Sequence, residues 1–114
     1  TRRSSDLSYI DSNNFEQAKK YSKLALAAAI KTKSKYDEFR ALKYYCDIYK
    51  YKGETEISIE YLLKCIDIVS ALDKEEVLGN LYIELGQLYS GISKDKELEC
   101  YQKGVTIFKN LEII

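Results

Sequence analysis

The chain has 114 residues, 46% hydrophobic and 32% charged, a balance that excludes a disordered segment and suits one domain of ordinary size. Lys and Arg together number 18, as do Asp and Glu, so no net charge pulls the chain toward nucleic acid or an anionic membrane. Proline and tryptophan are absent and only 5 glycines occur, which favours long helices with short connections over a sheet protein.

Six helical segments are expected from periodicity and capping residues. The first runs from near Arg2 to Asp11. Ser12 to Asn14 form a turn, and Asn14 with Gln17 makes a capping box. The second helix covers Phe15 to about Lys33, with Phe15, Ala18, Tyr21, Ser22, Ala25 and Ala29 on its inner face. Ser34 caps the third helix, with Asp37 three residues on. That helix spans about Lys35 to Tyr51, and Phe39, Leu42, Tyr45, Cys46 and Tyr49 recur at helical spacing. Gly53 ends it, where a positive φ is cheap for glycine. The fourth helix runs from Thr55 to about Leu72, with Ile59, Leu62, Leu63, Ile66 and Val69 inward. Asp73 with Glu76 caps the fifth, which ends near Ser90. Gly91 to Ser93 turn the chain into a sixth helix, from about Lys94 to Leu111.

The loops hold about two to four residues, so neighbouring helices are antiparallel. The longest apolar run, Leu24 to Ile30, is far shorter than the roughly 20 residues of a membrane span. The three cysteines, Cys46, Cys65 and Cys100, are odd in number and widely spaced. They read as reduced, packed thiols of a cytoplasmic protein. Histidine is absent and no C-x-x-C occurs, so no metal site or cofactor is expected. The chain begins Thr1-Arg2-Arg3 in helix-like sequence without an initiating methionine. It reads as a single repeat domain, residues 1–114, taken from a longer protein.

Two stretches repeat each other. Leu42 to Tyr49 aligns with Tyr82 to Tyr89 at an offset of 40 residues, and Asn13 to Ala29 aligns with Gly53 to Val69 at the same offset. A period of this size, built from paired helices, is the mark of a solenoid. In the middle repeat Leu42, Tyr45, Cys46 and Tyr49 are followed by Gly53, Ser58, Leu62 and Cys65. In the last repeat Tyr82, Leu85, Gly86 and Tyr89 are followed by Glu97, Tyr101 and Gly104. Only Tyr9, Ala18 and Ala25 stand out in the first. This pattern resembles the tetratricopeptide repeat (TPR), whose first helix carries W-x2-L-G-x2-Y and whose second carries spaced Ala and Phe. The period exceeds the usual length of about 34 residues. In that respect the chain is similar to the TPR bodies of bacterial peptide-sensing transcriptional regulators. Small residues at Ala18, Cys46, Ser58, Cys65, Gly86 and Gly104 are expected to let helices approach closely. Gly79 is expected to lie off that contact.

The resemblance implies an all-α fold, a right-handed superhelical stack of antiparallel helix pairs with about three repeats. It also implies a concave groove lined by the first helix of each repeat. Arg40, Lys43, Tyr44 and Asp47, with Lys50 and Tyr51, face that groove in the middle repeat; Asn80, Ile83, Glu84 and Gln87, with Ser90, face it in the last. Asn80 and Gln87 are suited to bonding an extended peptide backbone. Asp47 stands where the family's carboxylate clamp needs asparagine, which argues against a terminal carboxylate as ligand. No catalytic motif occurs. The absence of histidine removes the commonest general base, so an enzyme is not expected. The expected partner is a protein or peptide, with no nucleic acid or membrane bound through this segment. Phe108, Leu111, Ile113 and Ile114 at the last helix suggest self-association in addition. The alternatives are the sensor and dimerisation body of a helix-turn-helix regulator, or a purely self-associating structural repeat.

Overall fold

The computed structural model describes residues 12–112 as helices and their connections, and side chains from Asn14 onward. The helices are α1 (Ser12–Lys31), α2 (Lys35–Lys52), α3 (Thr55–Ser70), α4 (Glu75–Tyr89) and α5 (Lys94–Glu112). Among the described residues there is no strand. The helix expected over Arg2 to Asp11 lies outside them.

Four of the boundaries follow from local chemistry. Ser34 has extended φ and ψ, and its hydroxyl accepts from the Asp37 backbone N–H, starting α2 as expected. Gly53 has φ 85° and donates to Lys50, while Glu54 donates to Tyr49, which closes α2 in a Schellman motif. Lys33 closes α1 with the same pair of bonds, to Ile30 and from Ser34 to Ala29, at φ 60° without glycine's freedom. Ser93 accepts from the Lys96 N–H and starts α5.

Two expected boundaries are corrected. Ser12 to Asn14 is helical, not a turn, so Asn14 lies inside α1 and does not cap it. Asp73 sits at φ 57° in the left-handed region, and Lys74 occupies the cap position of α4 with no side-chain cap bond. The chain uses Asp73, whose short polar side chain tolerates that conformation, to leave α3 rather than to enter α4.

The chain forms two compact units, the first ending at Tyr61 and the second beginning at Leu62. In the first, α1 packs on α2. Phe15, Tyr45 and Ile48 form its apolar cluster, with Ala18, Leu26, Tyr49 and Tyr61 against it. Cys46 and Ser58, both fully buried, join α2 to α3. The Ser58 hydroxyl donates to the Cys46 carbonyl at 2.8 Å and lies 3.2 Å from its thiol. A small residue on each helix allows that approach, and the bond satisfies a hydroxyl that burial would otherwise penalise.

In the second unit α4 packs on α5. A Cβ built on Gly86 falls 2.6 Å from the Tyr101 ring and 3.2 Å from the Glu97 carbonyl oxygen. One built on Gly104 falls 2.7 Å from Ile83 and 3.1 Å from the Gly79 carbonyl oxygen. Gly79 is also in the seam, contrary to expectation: its Cβ would meet the Phe108 ring at 2.9 Å. Gly79 and Gly86 are seven residues apart, two helical turns, and so share one face of α4. Tyr21 and Ala25, expected inward on α1, are exposed, as is Leu63 on α3.

The glycine seam sets an order of stabilities. Gly86→Ala and Gly104→Ala press a methyl group on a backbone carbonyl of the facing helix and are expected to cost about 1–3 kcal/mol each. Gly79→Ala meets only side chains that rotate, and alanine gains up to about 1 kcal/mol of helix propensity. Its net effect is the smallest of the three. Urea melts of the three variants measure this order, and Gly79→Ala as the most damaging would refute the packing described.

Candidate functional site

Arg40, Lys43, Tyr44 and Asp47 follow one another on α2 at intervals that keep them on one side of the helix. The Lys43 ammonium bonds the Asp47 carboxylate at 2.8 Å, and both side chains are well shielded, at 25% and 31% exposure. The pair largely neutralises itself. Arg40 lies 3.7 Å from Asp37, but both side chains are exposed, so that pair contributes little. Tyr44 meets Tyr21 of α1 edge-on, with ring centres 6.3 Å apart.

Tyr44 and Arg40 also line a 670 Å³ groove between α1 and α2. Its α1 wall is Tyr21, Ala25, Ala28 and Ala29, and Thr32 beyond the helix end also lines it. Sequence reasoning missed that wall. Tyr21 and Ala25 carry the helical spacing of an inner face, but alanine side chains are too short to fill the seam, and a trough remains. The alanine-rich run from Leu24 to Ile30 was the available signal.

On α4, Asn80, Ile83, Glu84 and Gln87 occupy the equivalent positions one 40-residue period later. They divide by role. Asn80 and Gln87 are exposed. Ile83 lies over Gly104 and belongs to the α4–α5 seam. Glu84 is half-buried. The two exposed amides are separated by two turns, about 10.5 Å along the axis. That matches roughly three residues of an extended peptide at about 3.3–3.4 Å each.

A second groove in the first unit has a different character. Lys19, Lys20 and Lys23 of α1 line it together with Tyr45 and Tyr49 of α2 and Tyr61 of α3. Tyr61 stacks nearly parallel on both other rings, with centres 4.8 Å from Tyr45 and 5.7 Å from Tyr49. Phe15 meets Tyr49 edge-on at 5.5 Å. Burial raises the Tyr45 hydroxyl above its ordinary pKa, and the neighbouring hydroxyls of Tyr61 and Tyr49 raise it further. Burial also raises Tyr61, Tyr49 adds to the rise, and Lys19 opposes it.

Cys46, Cys65 and Cys100 are buried thiols outside any disulfide. Burial raises the Cys100 thiol, with Glu99 adding to the effect, so it is held in its less reactive protonated form. No described helix is long and apolar enough to cross a membrane. Neither the protein-family models nor the curated proteins give a match to this sequence.

The tyrosine stack predicts an alkaline sensitivity. Tyr45 and Tyr61 have folded-state pKa values raised above the unfolded value of about 10. Their contribution is therefore complete below about pH 10 and is lost as pH rises through the raised values. The urea midpoint of the parent is expected to fall across that range, and that of the Tyr45→Phe, Tyr61→Phe variant to fall less. Equal losses in the two proteins would show that the stack does not carry the effect.

Proposed function

We propose that this chain is a TPR-like module, a right-handed stack of antiparallel helix pairs that holds an extended segment of a partner protein or peptide against its first-helix faces. The observation that carries the reading is a recurring hairpin contact. Cys46 meets Ser58 in one helix pair, and Gly86 meets Glu97 in the other, about one sequence period later. In each pair a small residue on the first helix lets the second come close. Away from those contacts the first helices carry Arg40, Tyr44 and Asp47 on α2 and Asn80, Glu84 and Gln87 on α4, with Lys43 paired to Asp47 and Ile83 turned into the α4–α5 seam.

Within this reading Asn80 and Gln87 bond the partner's main chain, since each amide both donates and accepts. Such contacts read little side-chain sequence, so specificity must come from neighbouring surfaces. Tyr44, with its rim of Tyr21 and Arg40, supplies an aromatic wall. The 40-residue period favours a narrower version, the peptide-sensing body of a bacterial helix-turn-helix regulator, which would use the same faces. A helix-turn-helix segment encoded elsewhere in the full-length gene would favour that version over a general scaffold.

The test begins with a peptide-array screen, followed by titration of the best peptide against the parent and the Asn80→Ala, Gln87→Ala variant. Two lost hydrogen bonds at about 1 kcal/mol each predict an affinity roughly tenfold to thirtyfold weaker. Both residues are exposed, so the variant should keep its fold by circular dichroism. Unchanged affinity with the fold intact would remove these amides from the site.

A further inference from the structure

We infer that the groove lined by Lys19, Lys20, Lys23, Tyr45, Tyr49 and Tyr61 binds the oxyanion side chains, carboxylate or phosphoryl, of an acidic peptide segment. The inference rests on the peptide-binding reading for its partner, but it uses a different surface.

Three observations converge. The first is charge. Lys19 and Lys23 are four residues apart on α1, and Lys20 lies between them in sequence. Like charges at that spacing repel. Glu16 is the acidic group that lines the groove, and its carboxylate is 3.9 Å from Lys19 with 68% of its side chain exposed, too loose a pair to cancel three ammonium groups. Glu60 also acts electrostatically on Tyr61. Lys52 adds a further cation, its ammonium 4.9 Å from the Phe15 ring centre, with Lys19 at 5.3 Å from the same ring. The local field is positive although the chain as a whole is neutral.

The second observation is the state of the rings. Tyr61 is stacked on Tyr45 and Tyr49 at interplanar angles of 11° and 9°, and Phe15 takes an edge contact with Tyr49. The ring faces are occupied by one another. The three tyrosines therefore line the groove as a stacked set and not as separate open rings. Phenolic hydroxyls donate to oxyanions, whereas binding a nucleobase calls for an open aromatic face. This favours an acidic peptide over a nucleic acid.

The third observation is the enclosure. The groove measures 660 Å³, and burial raises the Tyr45 and Tyr61 hydroxyls above their ordinary pKa. The α1 lysines line one wall of the groove and the tyrosines of α2 and α3 the other, so an anion meets positive charge from the α1 side. Hydrogen bonds to a charged partner are about twice as strong as neutral ones.

The experiment uses the full chain and three labelled probes followed by fluorescence anisotropy. These are a Glu-rich peptide, the same peptide with phosphoserine replacing Glu, and a Gln-for-Glu control. The two acidic probes are expected to bind, with affinity falling as salt rises, and the control to bind at least tenfold more weakly. Lys19→Gln with Lys23→Gln should weaken the acidic probes about tenfold. Binding of the phosphorylated probe alone would assign the phosphoryl group as the source, and binding of the Glu probe alone the carboxylate. Acidic probes that bind no better than the control, or that bind the lysine variant as well as the parent, would overturn the inference. So would oligothymidylate binding as tightly as the acidic peptides. The Asn80→Ala, Gln87→Ala variant separates the two readings. Acidic-probe affinity that survives it but fails in the lysine variant supports this site whatever becomes of the α4 face.

Discussion

How closely two antiparallel helices approach is the constraint on which the rest of this protein depends. Ordinary side chains hold paired helices about 8–10 Å apart. Here Gly86 and Gly104 leave no room for a Cβ between α4 and α5. Between α2 and α3 the thiol of Cys46 and the hydroxyl of Ser58 fill the equivalent place with a hydrogen bond. The two solutions differ chemically. Glycine removes volume and leaves contact with the facing helix's backbone, at the cost of helix propensity. The Ser–Cys pair keeps propensity closer to normal but must satisfy a buried hydroxyl, and it does so on a carbonyl that still has a lone pair to offer. Among the described residues no buried side-chain nitrogen or oxygen lacks a partner.

Tight pairing on one side of a helix determines what its other sides can do. On α4 the glycines take the seam, Ile83 leans over Gly104, and Asn80 and Gln87 are left exposed. On α2 the buried side carries Leu42, Tyr45, Cys46 and Ile48, and the opposite side presents Arg40 and Tyr44. The large aromatic residues do a different job. Tyr45, Tyr49, Tyr61 and Phe15 give the first unit an interlocked set of rings, and the three tyrosines line a groove together with the lysines of α1. A phenylalanine set would pack as well but would offer no donors. The choice of tyrosine, 11 residues against 3 phenylalanines, thus bears on binding as well as on packing.

Helix positions, the short connections and most buried residues were legible along the chain, because each depends on interactions that span a few residues. Ser34 caps and Gly53 turns as their types require. Phe39, Leu42, Tyr45 and Cys46 are buried where a helical period places them. The recurrence of Leu42 to Tyr49 at Tyr82 to Tyr89 showed which small residues would lie in a close contact. Asp73 was misread because the same short polar side chain serves both helix caps and left-handed turns, and only the backbone path selects between them.

Features that join two helices were beyond such reading. Nothing in the local pattern says that Gly79 lies under Phe108, because that contact depends on how far α5 slides along α4. Nor does it say that Tyr21 and Ala25 line an open trough, because alanine at an inward position implies contact only if the facing residue is long enough to reach it. The lysine and tyrosine groove is a still clearer case. Its members come from three helices and are separated by as much as 42 residues, from Lys19 to Tyr61. Each has a plausible role alone, as a solvated lysine or a packed ring. The groove exists because folding sets a charged face of α1 beside a stack of tyrosine rings, and a periodicity read one helix at a time carries no information about that juxtaposition.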